Sequence, residues 1–486
     1  MDGGEVRKSP VEARTLKGFR DQMPAEVMAR EDLAAKIRRV YAKFGFVPLD
    51  TPAIEPLEVL TGTGGEEINK SLFTLKTPEG ESAALRFDLT VPFARLIAQY
   101  PDRFKLPFRR CAVGPVWRAD KPDPGRWREF WQCDIDAAGS DSVSVDAEIV
   151  AALCAVMREA GLARGEYLVR INDRKVVDAF LSGCGITDSQ VQKHVLRVVD
   201  KLPKAGLDNV KRELGPGRTD DSGDKIRGVG LDQAAVEKVV QFISVKAGNR
   251  KSVIEAVSGL VANSAGGEAA ISELKALDSA LESLGIGDNE AVFDPALARG
   301  LDYYTGPVFE VVLPGVPEFG SVGGGGRYDG LAGRFTGANI PATGASVGLD
   351  RFIAALRKMG KIKDPGSPTK VLVVTIPGTP GAELLRLAGE LRGAGIATEV
   401  YFGQTGVKAG VKDQLALANT RGIPVAILMG EDELKAGTVS VKNMGAGSAE
   451  RSDIKDPDAY RKAGKAGQVT VERAKLVETV RGIIGG

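Results

Sequence analysis

The feature that most restricts the fold is an interruption. Short strand-like runs between about 85 and 137 give way, from about 172 to 288, to helical segments with Lys-rich and Glu-rich faces, and the strand-rich pattern resumes at 292. The helical block therefore reads as an insertion that divides one strand-rich domain into two stretches of chain. A second boundary is KIKDPGSPTK, 361 to 370, whose Gly, Pro and Ser content suits a linker. Beyond it VLVVTI, TEVYF and VAILM alternate with helical stretches such as AELLRLAGELRGAG, the order of βαβ units around a mostly parallel sheet. Helical spacing is also clear from Asp32 to Phe44, stopped by Gly45, and from 146 to 160, stopped by Gly161.

Composition excludes several classes of function. Lys plus Arg is 65 against 64 for Asp plus Glu, so any nucleic-acid contact must come from a local patch. No segment is long and apolar enough to span a bilayer, and the first twenty residues lack the apolar core of a secretory signal. Cys111, Cys133, Cys154 and Cys184 form no CxxC pair, which argues against a zinc knuckle or a disulfide framework and fits a reducing cytoplasm. The single histidine, His194, lies in the polar helical stretch SQVQKHVLRVVD and reads as a surface residue. Chemistry here must run without histidine side chains.

Three clusters remain as candidates. In LRFDLT, 85 to 90, Asp88 and Thr90 lie two apart and would share one face of a strand, as an exposed edge or as the wall of a pocket for an ammonium group. In VWRADKPDPGRWREFWQCDID, 116 to 136, two strand-like arms flank the turn former KPDPG. Arg126, Arg128, Phe130 and Gln132 alternate onto one face there, which suits phosphates and a purine, while Trp127 and Trp131 point toward a core. The third cluster combines ARGLDYYTG (298 to 306), GGGGRYDG and GLDR. Adjacent Tyr303 and Tyr304 cannot both enter an apolar core, and the glycines suit close approach of backbone to a ligand.

In this order the clusters resemble class II aminoacyl-tRNA synthetases, and within them the histidyl-tRNA synthetase family. The resemblance spans LKGFRDQMP, the helix and proline-rich strand of 32 to 56 (motif 1), LRFDLTVPFAR, the Arg118 to Asp136 hairpin (motif 2), ARGLDYYTG, GGGGRYDGL and GASVGLDRF (motif 3). It implies an α+β catalytic domain on a mostly antiparallel sheet, residues 15–171 and 289–360, after a frayed segment 1–14. The helical insertion would be 172–288, the linker 361–369, and 370–486 an α/β anticodon-binding domain. By the same resemblance Asp88, Thr90 and Gln132 hold the α-ammonium of L-histidine, while Asp136, Tyr303 and Tyr304 line the imidazole. Arg299 and Arg118 are the catalytic arginines at the α-phosphate of ATP. Asp120 and Arg128 contribute to the ATP site, Phe130 stacks adenine, and Arg351 meets the γ-phosphate.

The implied reaction needs no general base. The histidine carboxylate attacks the α-phosphorus of ATP, and arginines with the Mg²⁺ carried on the phosphates hold the anions together. The resemblance further implies a homodimer, tRNA(His) as partner, and an insertion that grips the acceptor arm. Motif 2 departs from the family's usual Arg-x-Glu in reading Arg118-Ala119-Asp120, one methylene shorter where adenine is contacted, and its loop DKPDPG is also unusual. A non-catalytic paralogue is the alternative from another class. The presence of Arg118, Arg299, Arg351 and the C-terminal domain argues against it.

Overall fold

The structure, a computed structural model, describes residues 11–62, 70–122, 126–219, 223–298, 304–362, 366–403, 409–449 and 467–485. The chain divides into two compact units, 1–363 and 364–486. In the first, helix Pro24–Lys43 buries Leu33, Ile37, Val40 and Tyr41 at three- and four-residue spacing, an apolar stripe turned to a sheet. It begins at Pro24 rather than Asp32, because a proline at the first helical position lacks only an N–H that would have had no helical partner. Gly45, at φ 78°, ends it.

The chain continues through the short edge β1 (Val47–Pro48), then β2 (Ile54–Pro56), β3 (Thr74–Lys76) and β4 (Ser82–Leu85), which make a small antiparallel sheet. β5 (Phe108–Trp117) and β6 (Glu129–Ala138) form the long hairpin of motif 2. Helix Val143–Glu159, capped by the Ser142 side chain, leads to β7 (Leu168–Asp173). Residues 174 to 283 are mainly helical, with one two-stranded hairpin, β8 (Gly217–Thr219) and β9 (Lys225–Arg227). β10 (Ala291–Phe293), β11 (Pro307–Val312), β12 (Ser321–Arg327) and β13 (Ala342–Gly348) then return to the large sheet.

That sheet has eight strands in the order β1-β5-β6-β13-β12-β11-β7-β10. Only its outer pairs, β1 with β5 and β7 with β10, are parallel. Strands from both sides of the helical block thus lie interleaved. The block shares its core with the sheet: Val176, Phe180, Val257, Leu274 and Leu281 belong to one apolar cluster with Tyr167, Phe309 and Val347.

The second unit carries β14 (Val371–Val374), β15 (Thr398–Val400), β16 (Val425–Leu428), β17 (Thr438–Asn443) and β18 (Gln468–Glu472), in the order β15-β14-β16-β17-β18. β14 pairs in parallel with β15 and β16, but β17 and β18 are antiparallel, so the sheet is mixed rather than mostly parallel. Loop length explains the difference. Only residues 429 to 437 separate β16 from β17, and a parallel crossover takes roughly a dozen residues or more. Helix Glu431–Ala436 is short and ends at Gly437 in the left-handed conformation, and the chain turns straight back.

Candidate active site

Alternation along β6 sorts its side chains onto two faces. Cys133, Ile135 and Ala137 enter the core shared with the helices. Gln132, Asp134 and Asp136 take the opposite face, beside Gly114, Ala112 and Arg110 on β5 and Gly348, Ser346 and Gly344 on β13. Glycine is required on this face. A Cβ on Gly344 would lie 2.2 Å from Asp136 Oδ1, and one on Gly326 would lie 3.0 Å from the Tyr304 ring. Backbone approach here makes room for side chains from neighbouring strands.

Asp136 is fully buried, 2.6 Å from Arg110 Nη2, and accepts a hydrogen bond from the Tyr328 hydroxyl. Burial raises its carboxyl above the usual range, opposed by the Arg110 guanidinium and the Tyr328 bond. Arg110 also donates to Leu89 O at 2.8 Å. Asp134 is pushed up to about 7 by burial, with Arg110 opposing the shift. Asp88 is pushed up to about 6, again by burial, with the Val91 N–H and Arg118 opposing. Asp88, Arg110, Arg118, Asp134 and Asp136 are thus close enough to feel one another.

Asp88 and Thr90 do not lie on a strand. β4 ends at Leu85, Thr90 opens helix Thr90–Gln99, and Asp88 Oδ1 accepts from Val91 N at 3.0 Å. A short polar side chain that can cap a helix start competes with strand continuation, and here the cap wins.

Arg118 donates from Nε to Phe87 O at 3.0 Å, and its guanidinium carbon lies 5.2 Å from the centre of the Phe130 ring. Phe130 packs beside Leu89, Ala112 and Val116 on the site face. Asp120 pairs with Arg126 at 2.5 Å. The Arg128 guanidinium donates to Asp120 O and to Lys17 O, each at 3.1 Å, which fastens the hairpin to the segment before the first helix. Arg351, in helix Leu349–Lys358, donates to Ser321 O at 2.8 Å. The tryptophans are not core residues as expected, since each is only partly buried. Trp117 donates to Glu129, Trp127 lies under Arg20, and Trp131 lies under Arg30 while packing on the core edge.

Arg299 and Tyr303 lie outside the described residues. Tyr304 is described and packs against the cluster that contains Tyr328. Sequence reasoning passed over Arg110, Asp134 and Tyr328, although RYDG had been singled out for its glycines. It also gave no role to Asp350, which accepts from Arg20 at 3.0 Å, Gln22 at 3.1 Å and Trp131 N at 2.8 Å. Those bonds tie LKGFRDQMP, motif 2 and motif 3 into one wall. The signal was present in GLDR, but its partners lie more than two hundred positions away along the chain. His194 is half-buried in helix Ser189–Asp200 rather than fully exposed, and burial with nearby Arg197 lowers its pKa.

Among the described residues no group of three His, Cys, Asp or Glu side chains could hold a metal ion. No helix among them is long and apolar enough to cross a membrane.

The sequence model of the family described as histidyl-tRNA synthetase matches residues 18–352, and that of the anticodon binding domain matches 370–482. The histidine–tRNA ligase of Caulobacter vibrioides is 42% identical, over 98% of this chain and 97% of its own. That of Paracoccus denitrificans is 41% identical, over 99% of both. The crystal structure of histidyl-tRNA synthetase from a Nostoc species superposes with a TM-score of 0.78 at 30% identity, covering 97% of this chain and 99% of that one.

Proposed function

Because the chain belongs to the histidyl-tRNA synthetase family and is a histidine–tRNA ligase, we propose that both of its small substrates bind on the glycine-lined face of the eight-stranded sheet. The reaction joins histidine to ATP as histidyl-adenylate, releasing pyrophosphate, and then transfers histidine to tRNA. The observation that carries the placement is the buried trio Arg110, Asp136 and Tyr328, a polar well on a face kept open by Gly326 and Gly344. A donor and an acceptor held rigidly there suit an imidazole, whose two nitrogens differ in the same way. An apolar amino acid would leave Arg110 Nε and Asp136 Oδ2, buried atoms with no hydrogen bond of their own, without a partner, which such sites penalise by roughly 10⁴ or more in rate.

Asp88, Thr90 and Gln132 take the α-ammonium, and Asp136, Tyr303 and Tyr304 read the imidazole. Phe130 offers its face to adenine, and Arg118 stands next to it for the α-phosphate. Arg299 serves the same phosphate as a catalytic arginine, and Arg351 serves the γ-phosphate. Asp120 reaches the adenine side. Arg128 belongs to the ATP site, its Nε and Nη1 holding the hairpin through the carbonyls of Asp120 and Lys17. Mg²⁺ enters as part of the nucleotide substrate. With carboxylate and phosphate both anionic, this protein's contribution is position and charge, and no side chain need remove a proton.

The second unit, matched as an anticodon binding domain, takes the anticodon of tRNA(His), with exposed Lys412 and Arg421 on its surface; Lys408 lies outside the described residues. Residues 172–288 reach the acceptor arm. The chain acts as a homodimer in the cytoplasm, for which the exposed apolar residues Val47 and Ile54 at the motif 1 edge and the absence of disulfides among Cys111, Cys133, Cys154 and Cys184 speak. The decisive assay is ATP–pyrophosphate exchange against each of the twenty amino acids. Exchange should require histidine, and exchange with another amino acid alone would overturn the pocket reading. Removal of 370–486 should spare exchange and weaken charging of tRNA.

A further inference from the structure

The face of β6 carries a carboxylate that no role above uses. Asp134 is 1% exposed, and neither of its oxygens makes a close hydrogen bond. The hydroxyl of Ser346, opposite it on β13 and itself without a closer partner, is a weak donor that favours the charged form. Two residues back on the same face, Gln132 is also buried and its Oε1 is likewise unpartnered. The buried floor therefore holds Asp88, Asp134 and Asp136 against two buried guanidinium groups, Arg110, committed to Asp136 and Leu89 O, and Arg86, committed to the carbonyls of Thr51 and Pro115. Negative charge is in excess where solvent cannot compensate it.

Buried acceptors without donors, aligned on one side of a binding face, imply a donor that arrives with the ligand. Successive same-face positions on a strand are about 6.6 Å apart, so Asp134 stands between the Gln132 and Asp136 ends of the pocket. The positive group that histidine brings at neutral pH is its ammonium, since an imidazole of ordinary pKa near 6.5 is then mostly neutral. We infer that Asp134 is a further affinity-determining residue of the histidine pocket, whose buried charge, together with the Gln132 acceptor, is neutralised by the substrate's α-ammonium group. This rests on the reading of the face as an amino-acid site. It makes Asp134 a positioning residue, acting across the field of the pocket and through Gln132 and Arg110.

The groups that face Asp134 are Arg110 and Asp136 on the hairpin, Asp88 before the helix at Thr90, Arg86 beyond β4, Tyr41 on the first long helix, and Ser346 on β13. Its own carboxyl, held near 7, changes charge within the working range, whereas an amide does not. The test is equilibrium binding to the full chain, wild type, Asp134→Asn and Asp134→Ser, of three ligands: histidine, histidinol, which keeps the ammonium but lacks the carboxylate, and imidazolepropionate, which lacks the ammonium. At pH 7.5 both variants should bind histidine and histidinol about tenfold more weakly and imidazolepropionate unchanged. At pH 5.5, where Asp134 is protonated, the histidine deficit should fall below twofold. Thermal melting should show Asp134→Asn at least as stable as wild type. Unchanged histidine binding, equal weakening of all three ligands, a deficit independent of pH, or a lowered melting temperature in both variants would overturn the inference. Failure of the wild-type protein to bind histidine would overturn the pocket reading with it.

Discussion

The two faces of the eight-stranded sheet are buried to a similar degree and do opposite things. Toward the helices, Cys133, Ile135, Val169, Ile171 and Phe309 are 0% exposed and wholly apolar or nearly so. On the other face Gln132, Asp134 and Asp136, from the same strand, are 7%, 1% and 1% exposed. Burial alone therefore does not mark a core. Stability comes from the face whose side chains are matched to one another, and the other face spends part of it on polar groups whose partners arrive with the substrates. Carboxylates also occur on the helix side, but each has a task within the protein. Asp173 accepts from Lys175 N at 2.7 Å as a helix cap, and Asp146 pairs with Arg327 at 2.5 Å.

The largest expected effect tests the open face. Arg118→Ala and Arg299→Ala should each lower the rate of adenylate formation by roughly a thousandfold, the scale for removal of a preorganised charge, while histidine binding stays measurable. Pyrophosphate exchange near the wild-type rate in either variant would remove that arginine from the site. The opposite face should respond in stability instead. Ile135→Ala, at a position 0% exposed in the helix-facing core, should cost about 3 kcal/mol in chemical denaturation. Its affinity for histidine should change little, although Asp134 and Asp136 flank it in sequence. A large affinity loss there would mean that the two faces are not separable.

Tyr328→Phe is intermediate. It deletes the hydroxyl that bonds Asp136 and leaves the ring in its apolar cluster. Histidine affinity should drop about tenfold, in the range of one buried hydrogen bond to a charged group, with the melting temperature nearly unmoved. A loss of stability without a loss of affinity would place Tyr328 with the structural residues.

How much of this contrast was legible in the sequence depended on distance along the chain. The motif 2 hairpin could be read because KPDPG and the alternation of Phe130, Gln132 and Asp136 are local signals. The pairing of Asp136 with Tyr328 could not, since the strands that bring them together are separated by the whole helical block. Asp88 was misplaced on a strand because its capping bond to Val91 depends on where β4 stops. The tie from Arg128 to the first segment was equally hidden, because nothing local reveals that Lys17 O will lie beside it. The mixed sheet of the second unit was obscured for a different reason. TVSVK was not counted as a strand, so the return after VAILM went unseen.

The smallest effect sharpens the comparison through pH. Burial pushes the Asp173 carboxyl up to about 7, reinforced by Glu273 and opposed by the Lys175 N–H and ammonium. In the unfolded chain it titrates near 3.9. Between those values the folded protein keeps a proton that the unfolded chain has lost, so stability falls as pH rises through that window and stays low above 7. Asp173→Asn removes this titration yet retains an oxygen to accept from Lys175 N, and asparagine is as good a cap as aspartate. The variant should match wild type near pH 4 and exceed it by about 1 kcal/mol at pH 8. That lies well below the roughly 4 kcal/mol that a shift from 3.9 to 7 would give in full, because substitution also removes the charged form's attraction to the Lys175 ammonium. Asp134→Asn, with only the weak Ser346 contact to lose, should gain more over the same range. A gain at Asp173 equal to that at Asp134 would show that buried carboxylates cost the same on both faces, and the division of labour within the sheet would have to be drawn from the arginines alone.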